Sequence, residues 1–144
     1  MFEGYLQLHM RDLGYEGVYA NKKSEQPFGN AVFYRADRFT LESASVLDLT
    51  QAWRSVPGVD GMVAADAAWV TPAENATTVA QVVMLRDGDR PLVVVNTHLF
   101  SNPFGLNIRI LQAAAIVHHL QQHAAGRPVI ICGDFNTEPH RSKI

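Results

Sequence analysis

One cysteine in 144 residues, Cys132, leaves the chain without an internal disulfide. It sits in the apolar run Val129-Ile130-Ile131-Cys132 and reads there as a small buried hydrophobe rather than a nucleophile. No apolar stretch approaches the ~20 residues that span a bilayer, which excludes a helical membrane span from these residues. The opening Met1-Phe2-Glu3-Gly4-Tyr5 has neither the basic start nor the apolar run of a secretory signal. Positive charge is also scarce: 12 Lys and Arg against 14 Asp and Glu give a net charge of −2. A long DNA duplex is therefore excluded as partner, and nucleic-acid contact is limited to a short ligand whose phosphates meet a few arginines. Repeats and low-complexity segments are missing too. What remains, 47% hydrophobic and 18% charged residues, suits one globular domain.

Periodicity divides the chain into elements. Phe2, Leu6, Met10 and Leu13 recur at helical spacing before Gly14, predicting a short amphipathic helix. Strands are expected over Glu16–Ala20 and Asn30–Arg35, with the polar loop Asn21 to Pro27 between them, and over Phe39–Leu49. Pro57, Gly58, Gly61 and Pro72 break up the stretch from Gln51 to Asn75 into loops and short helical turns. Thr77–Leu85 and Pro91–Leu99 flank an Asp-Gly pair and form the clearest hairpin signal. Asn102-Pro103 suits the cap and first turn of a helix whose apolar stripe is Leu106, Ile110, Ala113, Val117 and Leu120, ending at Gly126. Pro128–Cys132 is continuous and apolar, as expected of a strand covered on both faces. Strands, then helix, then strand make this an α/β layered sandwich.

Two of these strands end in groups able to do chemistry. In Gly133-Asp134-Phe135-Asn136, extended alternation sends Asp134 and Asn136 to one side and Phe135 toward the core. The carboxylate suits a hard cation or a water, and the amide suits a phosphate oxygen. The same tetrapeptide also suits a turn closed by Asx hydrogen bonds. In Val93-Val94-Val95-Asn96-Thr97-His98, Asn96 and His98 share a face at the strand end. His98 there suits donation to a phosphate oxygen or protonation of a leaving group, though a structural histidine fits as well.

Asn96-Thr97-His98-Leu99, a helix carrying Arg109 and Gln112, and then Ile130-Ile131-Cys132-Gly133-Asp134-Phe135-Asn136-Thr137 resemble the endonuclease/exonuclease/phosphatase superfamily. Gly29-Asn30-Ala31-Val32-Phe33-Tyr34-Arg35 narrows the resemblance to its deadenylase-like branch, over roughly Phe2 to Pro139. The resemblance implies a four-layer α/β sandwich with two mixed sheets covered by helices. It also implies an Mg²⁺-dependent (or Mn²⁺-dependent) phosphodiesterase or 3′-exoribonuclease acting on short RNA or oligoadenylate. In it His98 contacts the scissile phosphate, Asp134 orients the attacking water near the metal or serves a second metal position, and Asn136 binds phosphate. Asn96 supports His98, and Pro103 helps hold the terminal adenine. Read from the residues alone, Arg35 and Arg38 follow a strand and either one suits the ligand, with Arg35 taken as the substrate-binding candidate. Relatives of this type include mitochondrial ones, so the compartment stays open between cytoplasm and mitochondrion.

The resemblance further implies a glutamate metal ligand in a Gln-Glu-Val motif before the first helix, an asparagine on an earlier strand, and an Asp-His pair beyond the last helix. None stands in residues 1–144, which read as an internal part of such a domain, with Glu3 and His140 no substitutes. Weak Mg²⁺ binding, little cleavage and exposed apolar edges are expected of the isolated chain. The alternatives are a catalytically dead remnant and a hydrolase of a lipid or inositol phosphate. His119 and His123 lack the acid of a zinc-protease helix and read as exposed. Lys22-Lys23 suits the steering of a phosphate but reads more as a solvated loop, and Trp53 and Trp69 as packing residues more than base-stacking ones.

Overall fold

The computed structural model describes residues 2–22, 28–59, 61, 68, 70–124 and 126–137. Lys23, Trp69 and His140, weighed above, lie outside the described residues. A wide helical turn, Phe2–Leu6, leads into α1 (Gln7–Asp12), and Gly14 stops it at φ 82°. The expected amphipathic burial is not found: no residue of α1 is buried, and Leu6, Leu8 and Leu13 are exposed. Spacing alone selects a stripe, but burial needs a partner surface, which the described residues do not supply here.

β1 (Tyr15–Asn21) and β2 (Gly29–Arg35), the two expected strands, pair antiparallel as a hairpin, from Tyr15 opposite Arg35 to Asn21 opposite Gly29. β3 (Phe39–Asp48) follows. A 3₁₀ turn, Ala52–Ser55, and the short α2 (Val70–Glu74) are described in the interrupted stretch. Trp53 is buried there, its indole N–H donating to the Thr50 carbonyl at 3.0 Å, so it packs rather than stacks on a ligand. β4 (Val79–Asp87) and β5 (Arg90–His98) form the Asp-Gly hairpin, with Gly88 at φ 59°. α3 (Leu106–His123) then crosses over to β6 (Val129–Asp134), which lies parallel to β5.

The larger sheet has the order β3-β4-β5-β6 and is mixed; the hairpin β1-β2 is a second, antiparallel sheet. Every residue of β4 from Val79 to Val83 is buried, because this central strand is covered on both faces. Ala80, Val82, Val93 and Val95 pack with Leu49, Trp53, Ile108, Leu111 and Ile116 on the helical side. Val83 and Leu85 pack with Val32, Val18 and Tyr34 on the hairpin side. Helix, sheet and sheet thus stack as layers of the expected α/β sandwich.

Three expectations are corrected by this packing. α3 does not begin at Asn102-Pro103: the Asn102 side chain accepts the Phe104 N–H at 2.9 Å in a turn of its own, and the helix starts after Gly105. Its buried face is Ile108, Leu111, Gln112, Ala115 and Ile116, whereas Leu106, Ile110, Ala113 and Val117 are exposed and only Leu120 of the expected stripe is buried. The helix is apolar on two faces, so periodicity could not choose between them. Finally, β6 is exposed along its whole length, Cys132 included, although its Sγ reaches the Val95 carbonyl at 3.3 Å. β6 lies at the edge of the sheet, and continuous apolar character did not imply two covering layers there.

Glu42 is the extra residue of a bulge in β3 opposite β4. Its carboxylate accepts from Arg127 just before β6 and from Arg86 of β4, the Arg86 Nε at 2.8 Å, so one side chain ties three elements. Hydrogen bonds from Arg127, then Arg86, hold its carboxyl below the usual value of 4.5. A carboxylate with a lowered pKa contributes stability above its ordinary value and loses it as acid protonates the folded form. Glu42→Gln is therefore expected to lower Tm at pH 7 and to narrow that deficit at pH 3; an equal deficit at both, in thermal melts of the two proteins, counts against the charge account.

Candidate active site

The site is built where β5 and β6 end together. Their parallel register sets His98 beside Asp134, with His98 Nε2 4.0 Å from Asp134 Oδ2. Both side chains keep substantial exposure, 43% and 63%, so the pair faces water and its mutual attraction is weak. One step before, Gly133 lies against Thr97 at φ 134°; a Cβ there would stand 1.8 Å from the Thr97 carbonyl oxygen. Only glycine permits the register that joins the two strand ends. The backbone conformation alone would cost about 1–3 kcal/mol in any other residue. Gly133→Ala is expected to lose at least that much in chemical denaturation; an unchanged midpoint would show that the strands can part without harm.

After Asp134 the alternation stops. Asn136 adopts φ 50°, its N–H donates to Asp134 Oδ1 at 2.9 Å, and its Nδ2 donates to the Leu99 carbonyl at 2.8 Å. The Asx turn allowed for the tetrapeptide is therefore formed, and Phe135 is exposed rather than turned into the core. This corrects the expectation from alternation, which holds only while the backbone stays extended. The turn nevertheless leaves Asp134 Oδ2 facing His98. One N–H of the Asn136 amide is left beyond its bond to Leu99.

Asn96 and His98 do share a face, the one toward the hairpin. Asn96 donates to the Ala31 carbonyl at 2.9 Å, fastening β5 to β2 rather than touching the imidazole. Asn30, which carried no individual reading from sequence, completes this seam: buried, it donates to the carbonyls of Val79 and Asn96, each at 3.1 Å.

The seam brings the loop end of the hairpin over the strand ends. There Lys22, read from sequence as solvated, is half-buried with Nζ 3.2 Å from His98 Nδ1. Burial pulls its ammonium below the ordinary lysine range, and the Asp134 carboxylate draws it part of the way back. Lys22, Phe28, Gly29 and His98 line a cleft of about 350 Å³. Nothing in the local sequence separated Lys22 from a solvated loop lysine; only the hairpin's placement does.

Arg35 lies elsewhere. It sits at the far end of β2, six residues from Gly29 or about 20 Å along a strand, and its Nε donates to Asp37 at 2.9 Å. Pro103 is exposed in the turn before α3, whose neighbours Asn102, Phe104 and Gly105 border a separate cavity of about 290 Å³ with Phe100, Asn107 and Ile108.

Arg109 and Gln112 of α3 hold the loops from below. Buried Arg109 donates to the carbonyls of Phe100 at 3.2 Å and Asn102 at 2.7 Å, and to Thr137 Oγ1 at 3.2 Å. Gln112 accepts the Phe100 N–H at 2.9 Å and donates to Thr78 Oγ1 at 2.6 Å. Both loops flanking the site thus rest on one helix. Arg109→Met is expected to cost about 1–3 kcal/mol by orphaning these oxygens. It should also speed amide exchange at both Phe100 and Thr137; exchange altered at only one would show that the guanidinium does not join them.

Asp134 does not make a divalent-metal site by itself. Among the described residues no group of three His, Cys, Asp or Glu is placed to hold an ion, and one Asp134 oxygen is already bonded to backbone. No helix among them is long and apolar enough to cross a membrane.

This architecture has the fold of endonuclease/exonuclease/phosphatase domains: an endonuclease/exonuclease/phosphatase from Bacteroides vulgatus superposes with TM-score 0.63, at 17% identity over 91% of this chain and 49% of the other. ANGEL2, described as a 2′,3′-cyclic phosphatase, gives TM-score 0.76 at 22% identity over 96% of this chain and 37% of its own. The human Nocturnin catalytic domain gives 0.74 at 23% identity, over 96% and 49%. In sequence, the chain is 32% identical to the 2′,5′-phosphodiesterase 12 of Bos taurus over 149 residues, 96% of this chain and 24% of that protein. It is 27% identical to mouse Nocturnin over 88% of this chain and 28% of the relative. The chain spans about a quarter of the length of these relatives. No protein-family model matches it. The resemblance carried by its motifs is thus to this superfamily and, within it, to the deadenylase-like branch.

Proposed function

We propose that this chain carries part of the phosphate-binding wall of a metal-dependent phosphodiesterase that hydrolyses short adenylate chains, 2′,5′-oligoadenylate or poly(A). The observation that carries the reading is the meeting of His98, Asp134 and Lys22 at one cleft mouth, three groups suited to a phosphodiester and its attacking water. Hydrolysis requires water to bond to phosphorus as the ester P–O bond breaks, while negative charge builds on the non-bridging oxygens. His98 donates to one of those oxygens, the free N–H of Asn136 donates to another, and Asp134 Oδ2 orients the water. Asn96 acts on this arrangement only by holding the hairpin in place.

Adenylate is favoured by the 32% identity to a 2′,5′-phosphodiesterase and by the loop after His98, where Pro103 stands beside Phe104, an aromatic 96% exposed. A base stacked on such a ring gains about 1–3 kcal/mol. Mg²⁺, or Mn²⁺, is the ion this reading expects, and it would neutralise phosphate charge when bound. The described residues offer it Asp134 alone, so weak binding and slow cleavage are the expected behaviour of this chain. Residues 1–144 are read as part of a larger catalytic domain of this kind.

Calorimetric titration with 2′,5′- and 3′,5′-oligoadenylates, an inositol phosphate and sphingomyelin, each with Mg²⁺, tests this. Adenylate binding that His98→Ala weakens about tenfold or more, with slow turnover, is expected. Preference for the lipid or inositol phosphate would move the chain to another substrate class, and no binding at millimolar ligand would make it a remnant. Robust Mg²⁺-dependent turnover abolished by Asp134→Ala would overturn the expectation of weak activity.

A further inference from the structure

Resting on the reading of His98 as a phosphate donor, we infer that Lys22 is a positioning residue that fixes the tautomer and orientation of the His98 ring. Lys22 Nζ lies 3.2 Å from His98 Nδ1. An ammonium has three N–H donors and no acceptor, so Nδ1 must accept and the proton of the neutral ring sits on Nε2. Nε2 is the nitrogen on the Asp134 side, 4.0 Å from Oδ2, over the mouth where a phosphate oxygen would lie. The other tautomer would turn a lone pair toward the anion instead, and binding would begin with repulsion.

Lys22 is placed to do this by the fold rather than by its own reach. Its backbone N–H donates to the Phe28 carbonyl at 2.8 Å, closing the base of the hairpin loop one step beyond the Asn21 and Gly29 pair. A Cβ at Gly29 would stand 2.2 Å from the Ala20 carbonyl oxygen, so the strands meet there more tightly than any side chain permits. Asn30 and Asn96 then lock the hairpin to β5 two residues from His98. Lysine and imidazole thus stand on two elements joined by buried hydrogen bonds, and the half-buried lysine stem keeps the contact between them.

The test needs no substrate. In long-range proton–nitrogen spectra of the ¹⁵N-labelled chain above the imidazole titration range, His98 is expected to show a protonated Nε2. Its bare Nδ1 resonance should be displaced from the free-imidazole position by the hydrogen bond. Lys22→Met should remove that displacement and Lys22→Arg should retain it, while the other five of the six histidines stay unmoved as a control on folding. A proton on Nδ1 in the unsubstituted chain overturns the inference whatever the variants do, as does an Nδ1 resonance that Lys22→Met leaves in place. A chain that shows the effect but binds no adenylate would sink the functional reading and leave this one standing.

Discussion

Parallel pairing of β5 with β6 is the constraint on which the rest of this molecule depends. Two strands running the same way must be joined by a crossover, and α3 is that crossover, so the helix covering the sheet also spans the two loops of the site. Because the strands are parallel, both reach the same edge of the sheet with their carboxyl ends, where open α/β sheets place their ligand clefts. His98 and Asp134 are neighbours for this reason, although thirty-six positions separate them in the chain.

The second sheet contributes differently. β1 and β2 bring no carboxylate or imidazole to the cleft, yet their loop end supplies Lys22 and the Gly29 wall. They are held by side-chain amides bonding to backbone carbonyls, not by apolar packing alone. Such bonds are directional, and a buried amide that loses its carbonyl leaves both groups unsatisfied, so the seam specifies one position of the hairpin where a purely apolar contact would tolerate sliding. The apolar contacts of Val32 with Val83 and Leu85 add the bulk of the adhesion.

Much of this was legible in the residues. The hairpin announced by Asp-Gly formed where expected, and His98 and Asp134 stand at strand ends as read, which the parallel register sets side by side. The failures share a physical cause. Periodicity reports which residues can be buried together, not which partner is present, so α1 showed a stripe of which no residue is buried among the described residues, α3 showed two stripes, and β6 read as covered while lying at an edge. Alternation misplaced Phe135 because Asn136 leaves the extended region two residues after the strand ends. Lys22 and Asn30 were illegible as site residues for another reason: their importance comes wholly from a contact between sheets, and local sequence carries no record of which loop will lie against which strand.

The Asx turn at Asp134 has a consequence for how a ligand would be received. With one carboxylate oxygen tied to the Asn136 N–H and the Asn136 amide tied to Leu99, neither side chain is free to rotate. The entropy of fixing them was lost when the chain folded. An incoming anion therefore meets groups already aimed, and its affinity is not diminished by the cost of ordering them.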